Sequence, residues 1–165
     1  MQNAVTSKTV YCVVAESGCA DGSTEGLQSG QHDRIAACDG QWSGHVDNAS
    51  SLCAADWTVC GWNTLDLLRT LNWDDAVTLA GCYALNAARH DDQCLPCRHD
   101  QLAGVGSGCA HRRYGSDVCI SGGQMDVPCC ADSKSGNQSC IYRPGLVTGV
   151  LCCQQSGTAS LLASV

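Results

Sequence analysis

Apolar residues recur at helical spacing most clearly in the middle of the chain. Leu65, Leu68 and Leu71 form a stripe, which predicts an amphipathic helix. Asn63 or Thr64 would cap it, and Asp66 favours its first turn. A second short helix is expected to start at Asn72 or Asp74, bury Ala76, Val77 and Leu79, and stop at Gly81. The stretch 83–89 fits either a turn of helix or a strand.

Elsewhere the pattern is that of short strands. Thr9, Val10 and Tyr11 run into Val13 and Val14 as a strand-like lead. Residues 15–34 are polar and rich in Gly and Ser, which predicts a long loop pinned by Cys19. Short extended pieces are expected over 35–62. Beyond 98, glycines punctuate the chain, and the apolar run 147–153 is the best strand. The fold class expected is a small, disulfide-rich α+β domain. It has one or two short helices near 64–80, with short irregular strands and long loops around them. The whole of 1–165 reads as one stapled domain with a soft division near 97.

Cysteine content changes how that fold is held. The chain has 165 residues, no Phe and fifteen cysteines: Cys12, Cys19, Cys38, Cys53, Cys60, Cys82, Cys94, Cys97, Cys109, Cys119, Cys129, Cys130, Cys140, Cys152 and Cys153. Such a load predicts a disulfide scaffold made in an oxidising, extracellular setting. Zinc modules need paired clusters, and only one C-x2-C is present, Cys94–Cys97. The adjacent pairs Cys129-Cys130 and Cys152-Cys153 each staple two different segments to one point. Fifteen is odd, so one cysteine is free, capped or joined to another chain, and a covalent dimer is one outcome.

Charge narrows the partners. The formal net charge is −7, which argues against nucleic acid. No apolar run is long enough to span a membrane. Asn48-Ala49-Ser50 and Asn137-Gln138-Ser139 are N-glycosylation sequons. Localisation is therefore read as secreted and extracellular. No cofactor is required, although Asp-rich loops have the oxygen ligands for Ca2+.

Candidate chemistry falls in three places. His90, Asp91 and Asp92 precede the C-x2-C, and His99 and Asp100 follow it; facing each other, they would offer mixed N/O ligands to a metal. Trp42 sits between glycines, near His45, and is expected to be exposed for stacking on a sugar, whereas Trp57 and Trp62 are expected in the core. Arg112, Arg113 and Tyr114 form a basic, Gly-flanked tip suited to a protein interface. No G-x-S-x-G or H-E-x-x-H motif occurs.

The leading expectation is an extracellular recognition module that binds a glycan or an extracellular protein, in adhesion, matrix or innate immunity. The alternatives are a toxin- or protease-inhibitor-like effector using the stapled loop near 110–118, and a secreted enzyme with a His/Asp site near 90–100.

Overall fold

The computed structural model describes residues 16–98, 102–109, 119–120, 125–127 and 147–156. Strand β9 (Gly149–Gln154) is its axis. Along one side it pairs antiparallel with β2 (Ile35–Asp39). Along the other it pairs with two strands end to end. Its N-terminal half runs parallel to β4 (Tyr83–Leu85), and its C-terminal half antiparallel to β3 (Trp57–Val59). The sheet extends through β1 (Gly26–Leu27) beyond β2, and through β7 (Leu102–Val105) and β8 (Met125–Val127) beyond β4. Strands from both sides of position 97 thus share one sheet. A separate hairpin pairs β5 (Ala88–His90) with β6 (Gln93–Leu95).

Both faces of this sheet are buried, and alternation along the strands sorts their side chains. Ile35, Ala37, Tyr83, Leu85, Ala103, Val105 and Leu151 point to one core. Ala36, Cys38, Ala84, Val150 and Cys152 point to the other. This explains why β9 reads as a continuous apolar run rather than an alternating one. The first core is covered by two helices, α1 (Leu65–Leu68) and α2 (Trp73–Thr78). The second is covered by a 3-10 helix, Val46–Leu52, with Trp42.

The adjacent cysteines of β9 follow the same rule. Cys152 bonds to Cys53 on one face, and Cys153 bonds to Cys60 on the other. One strand therefore staples a layer on each side. Cys19–Cys38, Cys82–Cys109 and Cys94–Cys119 complete five disulfides among the described residues. Cys97 is buried, its Sγ 3.4 Å from Leu85 O; Cys12, Cys129, Cys130 and Cys140 lie outside the described residues. The protein is a small, disulfide-rich α+β fold.

Close packing sets one backbone requirement at the axis. Gly149 pairs with Asp39 on one side and Tyr83 on the other. A Cβ there would collide with the carbonyl oxygen of Cys38, so the strands meet at this spacing only with glycine.

The helices form where the apolar stripe places them. Leu68, Leu71, Ala76 and Leu79 are buried. Asn72 caps α2: its Oδ1 accepts Asp75 N–H at 2.9 Å, while Asp75 Oδ2 accepts Asn72 N–H at 3.1 Å. Two expectations are corrected. Val77 is exposed rather than buried, because α2 turns Ala76 toward the core and the next residue falls on another side of the helix. Gly81 does not end the helix, which stops at Thr78 with Leu79 extended. The ambiguous stretch 83–89 is strand, in β4 and the start of β5.

Candidate functional site

A buried asparagine organises the surface region with the most chemical character. Asn86 follows β4 and uses all four of its polar groups. Its N–H donates to Cys60 O at 2.8 Å, and its carbonyl accepts Trp62 N–H at 3.1 Å. Its Nδ2 donates to Asp47 Oδ1 at 2.5 Å, and its Oδ1 accepts Cys97 N–H at 2.8 Å. A buried amide satisfied in this way holds its partners rigidly. Gly61 makes the approach feasible, since a Cβ there would lie 2.7 Å from Asn86 O.

His45 closes the ring from the other side. It caps the 3-10 helix, with Nδ1 accepting Asp47 N–H at 3.2 Å. Nε2 lies 3.1 Å from Cys97 O. A nitrogen that accepts an N–H carries no proton, so the tautomer assigned is Nε2–H donating to Cys97. Asp47 Oδ2, 3.4 Å from Nδ1, is then a neighbour rather than a partner. His45, Asp47, Asn86 and Cys97 make a clamp that fixes the chain after β6 against the 3-10 helix.

Trp62 stands on this clamp. It is 53 % exposed, at the start of the 3-10 turn Trp62–Thr64 that leads into α1. Gly61 N–H is held by Thr64 Oγ1 at 2.9 Å, so the backbone under the indole is bonded on both sides. Asn63 and Asp66 beside it are also exposed.

The tryptophans therefore exchange roles relative to the sequence expectation. Trp42 is buried in the second core, with its indole N–H donated to Gly44 O at 3.2 Å. Satisfying that one polar atom locally lets the ring fill the interior of a chain without Phe. Trp57 is half-buried against the same core. Among the tryptophans whose side chains are described, the exposed ring is Trp62, which the spacing around Cys60 had placed inside. Trp42 and His45 do not form a joint surface: one is core, the other half-buried in the clamp.

The proposed metal ligands are distributed differently. Asp91 and Asp92 form the exposed tip of the β5–β6 hairpin, both at positive φ, 46° and 65°. This is the backbone of a tight hairpin turn, and Asp tolerates it. His90 points inward and is buried, its Nε2 without a hydrogen-bond partner. His99 and Asp100 lie outside the described residues, as do Arg112, Arg113, Tyr114 and Asn137. Among the described residues, no three His, Cys, Asp or Glu side chains gather as a metal site. Cys94 of the C-x2-C bonds to Cys119 and not to Cys97. Asn48 is exposed, but its Nδ2, the atom that would carry a glycan, donates to Ser43 O at 2.8 Å.

A further polar group escaped the sequence reading. His32 Nε2 lies 3.0 Å from Asp75 Oδ2, and Thr70 Oγ1 lies 3.4 Å from His32 Nδ1. The order hydroxyl, imidazole, carboxylate resembles a nucleophile with its base. Thr70, however, donates its proton to Leu67 O at 2.7 Å, and Asp75 is engaged in the α2 cap. The group fastens the 3-10 turn Gly30–His32 to α2. Nothing in the spacing of residues 32, 70 and 75 signals it.

Tyr83 OH donates to Asp39 Oδ1 at 2.9 Å. Burial, and then that carboxylate, push the phenol above its ordinary range. The group remains a neutral donor within the sheet, between β9 and β7. Compared with known proteins, the chain matches no family model, no curated protein and no solved structure.

Proposed function

We propose that the protein is a secreted, extracellular recognition module whose contact residue is Trp62. The single observation that carries this reading is an exposed indole on a backbone fixed by Asn86 and Thr64. A residue whose backbone is already fixed loses less entropy on binding, and tryptophan is enriched among residues that dominate interfaces. Five disulfides among the described residues support an oxidising compartment. No helix among the described residues is long and apolar enough to cross a membrane. The ligand expected is a glycan or an extracellular protein.

The test is an array of glycans and secreted proteins probed with the oxidised protein and with Trp62→Ala. Binding that disappears in the variant while its disulfides stay intact is the expected result. An array without any Trp62-dependent signal would end this reading.

A further inference from the structure

His32 and His45 are both tied to neighbours, but in different patterns. His45 accepts an N–H at Nδ1 and donates from Nε2, so the neutral ring uses both nitrogens. His32 meets oxygen at both. Nε2 lies 3.0 Å from Asp75 Oδ2, and Nδ1 lies 3.4 Å from Thr70 Oγ1. Thr70 donates its own proton to Leu67 O at 2.7 Å, which leaves Nδ1 a hydroxyl lone pair. A neutral imidazole has one N–H to offer, and an imidazolium has two. The two oxygens around His32 match the second.

The loop that carries His32 needs holding. At the end of β1 and just after it, Leu27, Gln28 and Gly30 take positive φ, at 61°, 51° and 55°. Leucine and glutamine disfavour that region, so contacts from outside the loop must fix it. Gln28 reaches back, with Nε2 donating to Glu16 O at 2.7 Å and Oε1 accepting Gly18 N–H at 2.9 Å. His32 reaches forward to α2 and is buried there. Asp75 Oδ2 also accepts Asn72 N–H at 3.1 Å, so the loop contact and the helix cap share one oxygen.

We infer that His32 is a proton-operated latch, which fastens the loop between β1 and β2 to α2. In a neutral ring that donates to Asp75, the Nδ1 lone pair faces the lone pair of Thr70. Proton uptake turns that contact into N–H···O and makes the Asp75 contact charge-assisted. Histidine ordinarily changes charge between about pH 5 and 8. The latch therefore tightens as pH falls through that range and slackens as it rises. Asp75 is the charged side chain that the ring pairs with. Of the others on the elements that meet here, Arg34 is committed to Gln154 O and Ser156 Oγ. Asp33, Asp66, Arg69 and Asp74 are exposed, where solvent weakens their effect on the ring. The inference stands apart from the Trp62 reading and shares no residue with it.

The experiment is amide exchange and ring-nitrogen NMR of the full oxidised protein at about pH 7.5 and about pH 5.5. Wild type is compared with His32→Gln and Asp75→Asn. Two amides report the latch: His32 N–H, bonded to Ser29 O at 3.0 Å, and Asp75 N–H, bonded to Asn72 Oδ1 at 2.9 Å. The expected result is a proton on both His32 nitrogens at the lower pH. Protection of both amides, corrected for intrinsic exchange, is then severalfold higher there than at the higher pH. That gain is lost in His32→Gln, which takes up no proton. It is lost in Asp75→Asn too, which removes the charge while keeping an oxygen for Asn72 N–H. Protection that does not change with pH in wild type overturns the inference. A gain of wild-type size in either variant also overturns it, because another group then does the titrating. Should His32→Gln fail to fold, Asp75→Asn and the ring spectrum decide the matter.

Discussion

Asn86 Oδ1 accepts the backbone N–H of Cys97 at 2.8 Å, while His45 takes the carbonyl of the same residue. Both polar groups of one buried backbone unit are thus held by side chains from different segments. Replacing Asn86 by Leu keeps the branched shape, with somewhat more bulk, but strands Cys97 N–H and removes the bond to Asp47. Lost bonds of this kind each cost about 1–3 kcal/mol when a buried partner is left unsatisfied. Asn86→Leu is expected to lower stability by about 2–4 kcal/mol, measured by guanidinium unfolding with the disulfides intact. A change below about 1 kcal/mol would show that the clamp is not holding the fold.

The two bridges from β9 should be separable. Removing Cys53 with Cys152, or Cys60 with Cys153, frees a layer on one face and leaves the other stapled. Each double Ala variant is expected to lose about 2–4 kcal/mol, since the bridges close loops of 99 and 93 residues. Peptide mapping without reductant checks the pairing first. A Cys53–Cys153 linkage would contradict the assignment of the two faces.

Gly149→Ala tests the close approach of β2 to β9. The added methyl meets Cys38 O, a backbone atom fixed within the sheet. A loss of about 2 kcal/mol or more is expected from the displaced strand, visible as a lower melting temperature. An unchanged melting temperature would mean the strands have room to part.

Tyr83 links stability to alkaline pH. Its folded phenol is raised above the ordinary value of 10.0 by burial and by Asp39. A raised folded value means the proton is held more tightly in the native state. Its contribution is complete below the unfolded value and fades as pH rises through the folded one. Stability is therefore expected to fall above about pH 10, and Tyr83→Phe should flatten that fall while losing about 1 kcal/mol at neutral pH. Unfolding curves at several pH values decide it, and an identical alkaline slope in the variant would rule Tyr83 out.

Much of this architecture was legible along the chain, for local reasons. The sequence placed the start of α2 at Asn72 or Asp74, and Asn72 makes the cap, with Asp75 three residues on as its partner. Of the Leu65–Leu68–Leu71 stripe, Leu68 and Leu71 are buried and Leu65 packs partly against the same core, although α1 itself ends at Leu68. The two faces of β9 follow from the adjacent cysteines, since neighbours on a strand point opposite ways. The fates of Val77 and Gly81 did not follow: Ala76 takes the core position beside Val77, and α2 stops at Thr78 before the glycine is reached.

The candidate site was far less legible. Cysteine number, acidity and the helix signals belong to the sequence: they depend on composition and on residues a few positions apart. Which tryptophan faces solvent belongs to the tertiary structure. Trp42 looked exposed between glycines, yet Gly44 O satisfies its indole and the 3-10 helix closes over it. Trp62 looked buried beside Cys60, yet Asn86, from beyond β4, holds its backbone at the edge of the fold. Exposure is decided by what the rest of the chain lays over a residue, and residues 47, 62, 86 and 97 meet only when the sheet brings them together.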